Sequence, residues 1–154
     1  MTDTPQNDIT DVANWFLSKE PMSHKKLQKI CYYAVAWGHA LLGRSICRRD
    51  DFEAWVHGPV NPDLYKIFRH YGWTHIHLVG AAPTFNPEDK EFLESVWNTY
   101  GEFDGHQLEA LTHEEAPWIN ARRNLPLMEP SNNLISVDDM VEYYNSVFDD
   151  GQND

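Results

Sequence analysis

The chain has 154 residues, of which 42% are apolar and 13% aromatic, so it can bury one ordinary hydrophobic core and general disorder is excluded. No apolar run approaches the roughly 18 residues of a membrane helix, and residues 1–8 lack the basic and apolar regions of a signal peptide. With only Cys31 and Cys47, a disulfide scaffold is excluded. We therefore expect a single cytoplasmic domain with free thiols.

Charge divides the chain into two unequal parts. Residues 1–85 carry a net charge of +1 and residues 86–154 a net charge of −13, which gives −12 for the whole chain. An acidic surface of this size repels phosphate, so it argues against direct nucleic-acid binding and favours a basic protein partner. The alternative interpretation is that the acidity serves solubility alone.

Helix-capping and helix-ending residues predict about six helices. Each predicted helix begins after a capping residue and ends near a second residue. These pairs are Asp8 and Pro21, Ser23 and Gly43, Asn61 and Gly72, Asn86 and Gly101, Asp104 and Leu111, and Ser136 and Phe148. The second helix is the strongest of these predictions, because its apolar residues recur at helical spacing over its whole length.

Two segments, residues 52–56 and 73–79, alternate apolar and polar residues as strands do. A two-stranded ribbon is marginal by itself and must pack on helices. The predicted fold class is therefore α+β and mainly helical: a single compact domain of about six helices with a small two-stranded ribbon. Its predicted boundaries are a flexible N-terminus at residues 1–7, a folded domain at 8–148 and an acidic disordered tail at 149–154.

The two predicted strands offer one candidate metal site. If they pair with their polar faces aligned, Glu53, His57, His75 and His77 supply nitrogen and carboxylate ligands suited to zinc or non-haem iron. The alternative is that these are polar positions on the outer face of the ribbon. The chain has no Gly-rich phosphate loop, no Gly-x-Ser-x-Gly elbow and no His-Glu-x-x-His motif, so no other catalytic site is indicated.

The two cysteines are predicted to differ in reactivity. Cys31 lies on the apolar face of the second helix and is typical of a small core residue. Cys47 precedes Arg48 and Arg49, whose charges are expected to lower the pKa of its thiol. Neither cysteine is predicted to be catalytic.

Charged residues near the first predicted strand have two further interpretations. Lys25, Lys26 and Lys29 are typical of a solvated helix face, with contact to single-stranded nucleic acid as the alternative. Glu53 interrupts an apolar segment, and if it is buried it needs a partner, for which Lys29 and Arg122 are candidates.

Three motifs, in order along the chain, resemble a known family. They are residues 22–34 with Trp37, residues 52–62 with Tyr65, and residues 111–118 with Ala121 and Arg122. Together they resemble the Panacea antitoxin-domain family, which includes phage-associated proteins and SocA-type proteolytic adaptors, over roughly residues 8–148. The motif residues are Lys26, Leu27, Gln28, Lys29, Tyr32, Tyr33, Trp37, Glu53, Trp55, Gly58, Pro59, Val60, Thr112, His113, Glu115, Pro117 and Trp118.

The resemblance implies an antitoxin, bacterial or phage-encoded, that neutralises a cognate toxin by direct binding and has no catalytic residues and no cofactor. One alternative is a proteolytic adaptor that delivers the toxin to ClpXP, and another is the metal-dependent hydrolase described above. The motif residues are expected to define the fold, with Trp118 packed inward. The candidate partner-binding residues are Tyr33, Trp55, Glu109, Glu114, Glu115, Asp138, Asp139 and Glu142.

Overall fold

The structure is a computed structural model that describes residues 5–153 of the chain. Its elements are α1 (Ile9–Leu17), α2 (His24–Trp37), β1 (Glu53–Trp55), β2 (Gly58–Val60), α3 (Pro62–Phe68), α4 (Pro87–Tyr100), α5 (Gly105–His113), α6 (Ala116–Arg122) and α7 (Val137–Asn153). A π-helical turn, Gly38–Leu42, extends α2, and a 3₁₀ turn, Arg69–Tyr71, follows α3. The predicted fold class, mainly helical α+β with a two-stranded ribbon, is confirmed.

Helix α2 is the centre of the fold. Its side chains from residue 27 to residue 36 are all buried, which is the pattern of a helix covered on every side. It packs against α1, α4, α5, α7 and β2. Ser23 caps it as predicted, since its hydroxyl accepts a hydrogen bond from the Lys26 backbone N–H at 3.1 Å.

The ribbon is formed by a different pair of strands from the predicted pair. β1 and β2 form an antiparallel hairpin with the register Glu53 to Val60, Ala54 to Pro59 and Trp55 to Gly58. Residues 73–79 form no strand, and Ile76 makes only an isolated bridge with Met22. Gly58 has a φ of 108°, so the chain reverses directly after residue 57 and β1 pairs with its nearest neighbour in sequence.

The other edge of β1 is covered by the segment before α7. The Ala54 N–H donates to the Asn133 carbonyl and the Ile135 N–H donates to the Phe52 carbonyl, each at 2.8 Å. The hairpin is therefore held on both edges, between α2 and the loop of residues 123–136.

The two ends of the described chain are the segment before α1 and the last turns of α7. Arg48 donates side-chain hydrogen bonds to the carbonyls of Pro5 and Gln6, each at 3.0 Å, so residues 5–7 are tied to the domain, while residues 1–4 lie outside the described residues. Helix α7 continues to Asn153, where a disordered tail is predicted, because propagating a formed helix adds one hydrogen bond per residue. Residue 154 lies outside the described residues.

Helix α6 is an addition to the six predicted helices. Pro117 occupies its first turn, where a missing N–H costs nothing, and Arg123 ends it in the left-handed conformation. Among residues 5–153, no helix is both long and apolar enough to cross a membrane.

Candidate partner-binding site

The first two motifs meet where α2 contacts the end of the hairpin. The Gln28 side chain makes two hydrogen bonds with the backbone of Asn61. The Asn61 N–H donates to Gln28 Oε1 at 2.8 Å, and Gln28 Nε2 donates to the Asn61 carbonyl at 3.3 Å. Lys29 Nζ donates to the Pro59 carbonyl at 3.1 Å. Two side chains of α2 therefore fix the main chain of β2.

The third motif fixes the other strand of the hairpin from α6. Trp118 is buried, as predicted, and its Nε1 donates to the Trp55 carbonyl at 2.9 Å while its ring stacks on His113 at 4.0 Å. Arg122 is also buried, and its Nη1 donates to the Ala54 carbonyl at 3.2 Å. Both strands are thus held through main-chain carbonyls.

Gly58 is required because the Lys29 side chain passes directly over it. A Cβ atom at this position would lie 2.7 Å from Lys29 Cε and 3.0 Å from Thr112 Oγ1. The positive φ of Gly58 disfavours other residues for a second, independent reason. One glycine therefore lets the hairpin approach both α2 and α5.

The lysines of α2 do not form a solvated face, so that prediction is wrong. Lys29 is fully buried, and burial lowers its pKa from 10.5 to about 7, with Glu109 acting to raise it and Lys25 to lower it further. Lys25 Nζ donates to Glu109 Oε1 at 2.6 Å, and Lys26 Nζ donates to the Gly101 carbonyl at 2.5 Å. All three ammonium groups are directed to acceptors on other elements.

Neither candidate partner of Glu53 contacts it. Its carboxylate accepts a hydrogen bond from Trp55 Nε1 at 2.8 Å, and its side chain is half-buried. Lys29 and Arg122 are directed to backbone carbonyls, whose places in the fold the sequence does not reveal. The predicted ion pair is therefore replaced by a local hydrogen bond.

A groove opens on the α2 side of the hairpin. It is a cavity of about 390 Å³ whose rim carries three aromatic side chains, Trp55, Tyr65 and Trp73. Trp73 is 97% exposed. The floor includes His24, and burial, followed by the charge of Lys29, lowers the pKa of His24 to about 4, so the ring is neutral at pH 7.

A second cavity, of about 490 Å³, lies beside the hairpin and is lined by Trp55, Val56, His57, Val60 and residues 130–132. The loop that contributes residues 130–132 also exposes large apolar side chains, with Leu127 60% exposed, Met128 69% and Leu134 61%. We call Leu125, Leu127, Met128 and Leu134 the apolar shelf. These four side chains lie within ten residues of chain, and large exposed apolar patches on a protein mark interaction sites.

The loop that carries the apolar shelf is held by Arg122. Its Nη2 donates to the carbonyls of Pro126 at 2.9 Å, Leu127 at 3.1 Å and Glu129 at 2.7 Å. Asn133 Nδ2 donates to the Ala121 carbonyl at 2.9 Å. The sequence analysis missed this surface, although the apolar residues between Pro126 and Pro130 were a signal for it.

Two predicted partner-binding residues, Tyr33 and Glu115, are hydrogen-bonded to each other within the fold. The hydroxyls of Tyr33 and Tyr144 both donate to Glu115 Oε1 at 2.8 Å. Burial raises the pKa of Glu115 to about 7, although both hydrogen bonds act to lower it. Tyr33 has no exposed surface and its ring stacks on Tyr100 at 4.0 Å, so it is not available to a partner in this structure.

Glu109 is engaged within the domain as well. It accepts hydrogen bonds from Lys25 at 2.6 Å and from His57 Nδ1 at 3.1 Å. Burial acts to raise its pKa, but these hydrogen bonds outweigh burial and lower it below its usual value. Its carboxylate therefore serves to join α5 to α2 and to the hairpin.

The remaining predicted partner-binding residues are accessible. Glu114, Asp138 and Glu142 are exposed, while Asp139 and Trp55 are half-buried. Asp138 and Glu142 lie four residues apart in α7, and Asp149 follows seven residues later, so the three share one face of the helix. We call Asp138, Glu142 and Asp149 the acidic stripe.

The four candidate metal ligands are not brought together as the pairing hypothesis requires. That hypothesis pairs residues 52–56 with residues 73–79, and this pairing is wrong because β1 pairs with β2. His75 and His77 are exposed in an irregular segment, whereas His57 contacts a carboxylate of α5. Within the part of the chain that the structure describes, no group of three or more His, Cys, Asp or Glu side chains could hold a metal ion.

The expected low pKa of Cys47 is also wrong. Cys31 and Cys47 are both free and buried, and burial raises the pKa of each thiol above its usual value. The Arg48 guanidinium points to the backbone of residues 5 and 6, so it gives the thiolate no local charge partner. Cys31 is a core residue, as predicted.

Comparison with known proteins assigns these motifs to one family. The model of the family described as "Antitoxin SocA-like, Panacea domain" matches residues 27–119. The chain is also similar to "Antitoxin SocA" of Caulobacter vibrioides (strain NA1000 / CB15N), with 31% identity over 138 residues that cover 77% of this chain and 72% of that protein. No solved structure gives a significant match. The matched residues include the hairpin, whereas the apolar shelf begins after them.

Proposed function

The chain belongs to the family of SocA-like antitoxins with a Panacea domain, and we propose that it neutralises a cognate toxin in the cytoplasm by binding it directly. The observation that carries this proposal is the acidic stripe on α7, three exposed carboxylates on one helix face within a region of net charge −13. Such a face is complementary to a basic surface. Toxins that act on nucleic acid or on the ribosome need a basic surface to bind phosphate.

We propose that the chain blocks the toxin by binding to its surface, without catalysis and without a cofactor. The buried ionisable groups support this, since they are engaged in holding the domain together. Lys29 donates to a main-chain carbonyl, and Glu115 accepts from two tyrosine hydroxyls. Lys29 lines the groove on the α2 side of the hairpin, but its ammonium group is held by the Pro59 carbonyl.

A growth assay tests the function itself. We expect the gene beside this one, expressed alone, to stop growth, and co-expression of this chain to restore it. A neighbour that is harmless at comparable expression contradicts the proposal. The half-life of the toxin in the rescued cells distinguishes blocking from delivery to a protease: blocking leaves the half-life unchanged or longer, whereas delivery to ClpXP shortens it only when the chain and ClpX are both present.

Stopped-flow mixing of purified chain and toxin tests the electrostatic part. Charges that steer encounter are screened over a Debye length of about 8 Å at physiological ionic strength. We expect the association rate to fall about tenfold or more between low and high salt. A rate that does not depend on salt contradicts this part.

A pair of matched variants tests whether the acidic stripe itself steers the toxin. Asp138→Asn with Glu142→Gln removes two charges from the stripe and should slow association. Glu91→Gln with Glu102→Gln removes two exposed charges outside the stripe and makes the same change in net charge. Equal effects of the two pairs would mean that net charge matters and the position of the stripe does not.

A further inference from the structure

We infer that the apolar shelf is the surface that anchors the toxin, and that the toxin places an apolar segment flanked by basic residues on it. This inference rests on the proposed function and adds the binding surface and the chemistry of the partner. It also separates two roles: the acidic stripe raises the rate of association, and the shelf lowers the rate of dissociation of the complex.

The shelf places large apolar side chains in solvent within a loop that is otherwise polar. Leu127, Met128 and Leu134 are each at least 60% exposed, within eight residues of chain. Their backbone faces the other way, because the carbonyls of Pro126, Leu127 and Glu129 point at the buried Arg122 guanidinium. Arg122 therefore turns the backbone inward and leaves the side chains in solvent.

The same contacts make the shelf rigid before any partner arrives. A loop that is fixed in advance loses little conformational entropy on binding, so more of the burial energy appears as affinity. The hairpin adds a second fixed wall, since the Ala54 N–H donates to the Asn133 carbonyl at 2.8 Å. A preorganised apolar surface of this kind is typical of a protein-binding site and not of a flexible linker.

An open cavity lined in part by residues 130–132 of the same loop gives an apolar anchor a place to enter. Its volume is about 490 Å³, and its lining includes the side chains of Trp55, Val56 and Val60 together with residues 130–132. Interface energy concentrates where one large side chain fills such a pocket. We therefore assign the anchor of the partner to the space between the hairpin and residues 130–132.

Charge decides which occupant fits. The loop of residues 123–136 carries one exposed charge of each sign, Arg123 and Glu129. Three more carboxylates, Asp138, Asp139 and Glu142, follow in α7, so residues 123–142 have a net charge of −3. A second copy of this chain would bring the same carboxylates and a net charge of −12 to the contact, which is repulsive. A partner with basic residues around its apolar anchor is attracted electrostatically to these carboxylates.

The experiment measures the dissociation constant of the purified toxin for four variants of the full chain. Leu127→Asp, Leu127→Lys and Met128→Ala alter exposed side chains of the shelf, and each should leave the melting temperature close to that of the unaltered chain. Val79→Asp is the matched control, because Val79 is 85% exposed and lies outside the shelf. We expect the shelf variants to weaken binding about 30-fold or more, as at interface hot spots, and the control to leave it unchanged.

The two substitutions at Leu127 separate the apolar contribution from the charge contribution. Both remove the apolar contact, but Leu127→Lys also repels a basic partner, so we expect it to bind more weakly than Leu127→Asp. The reverse order contradicts the basic character of the partner. Unchanged affinity in all shelf variants, with toxin still bound by the unaltered chain, overturns the inference but leaves the proposed function standing.

Two further outcomes are decisive. Failure of the unaltered chain to bind the toxin contradicts the proposed function itself, and with it this inference. Light scattering of the free chain after size-exclusion chromatography detects self-association: a dimer that Leu127→Asp dissociates would assign the shelf to a second copy and overturn the inference.

Discussion

Replacing Lys29 with methionine should remove a rise in stability with pH that the unaltered chain gains from this residue between pH 7 and pH 9. Lys29 is fully buried, and burial lowers its pKa from 10.5 to about 7. The folded chain therefore binds fewer protons than the unfolded chain between these values, so the free energy of unfolding rises with pH across this window. The stability gained is complete above pH 10.5 and is lost as the pH falls towards about 7.

The size of this effect follows from the two pKa values. At about 1.4 kcal/mol per pKa unit, the full difference corresponds to about 5 kcal/mol, of which about 2 kcal/mol falls between pH 7 and pH 9. Cys31 and Cys47 act in the opposite sense, since burial raises the pKa of each thiol from 9.0, and Glu115, with a pKa of about 7, acts in that sense as well. The contribution of Lys29 between pH 7 and pH 9 is therefore the difference in slope between the unaltered chain and Lys29→Met.

Two other groups titrate below this window and oppose each other. Burial raises the pKa of Glu115 to about 7, so the stability that it confers is lost as the pH rises towards 7. Burial lowers the pKa of His24 to about 4, so its contribution is lost as the pH falls towards 4. Their effects oppose each other between pH 4.5 and 6.5, where the pKa of His113, also lowered by burial, adds a rise in stability with pH.

Urea unfolding at pH 7, 8 and 9 provides the measurement. We expect the free energy of unfolding of the unaltered chain, relative to that of Lys29→Met, to rise by about 1 kcal/mol per pH unit between pH 7 and pH 9. Lys90→Met is the matched control, because Lys90 is exposed and its removal should not change the slope. A Lys29→Met chain that keeps the full slope would refute the assignment of this titration to Lys29.

Further substitutions test the frame around the hairpin. Trp118→Ala should lower the free energy of unfolding by about 3–5 kcal/mol, whereas the exposed Trp73→Ala should change it by less than about 0.5 kcal/mol. Gly58→Ala should cost more than Gly80→Ala, since both have a positive φ but only Gly58 has close neighbours; equal melting temperatures would contradict this. Cys47 should resist thiol reagents until urea unfolds the chain, and reaction at the unfolded rate in buffer would contradict its burial.

The helices could be predicted from sequence because their signals are local. Asp8, Ser23, Asn61, Asn86 and Asp104 each cap a helix with their own side chain, and the residue that each caps lies only three positions away. Such contacts do not depend on the rest of the fold.

The pairing of the ribbon could not be predicted in the same way. The alternation in residues 73–79 is real, since Ile76 is buried between the exposed His75 and His77. A strand also needs a hydrogen-bonding neighbour along its length, and here only Met22 supplies one. Tertiary packing decides which segment pairs with a strand. The alternation of apolar and polar residues carries no information about that packing.

For the frame around the hairpin, the sequence indicates two of the residues, Lys29 and Arg122, but not the groups that they contact. From the sequence, Lys29 and Arg122 are candidate partners of the Glu53 carboxylate, because a sequence shows which charged side chains are present. It does not show which backbone groups lie near them. Their acceptors are main-chain carbonyls, of which one is 30 residues away from Lys29 and another 68 residues away from Arg122. A backbone acceptor has no sequence signature, so its location emerges only from the fold.

This preference for backbone acceptors has a consequence for specificity. Gln28, Lys29, Trp118 and Arg122 all bind the main chain of the hairpin region, so side chains on its exposed surface take no part in those bonds. Side chains of the apolar shelf and of the acidic stripe can therefore vary while the frame stays intact. An antitoxin fold built in this way can keep one architecture and meet toxins of different surfaces, because recognition and stability use different atoms.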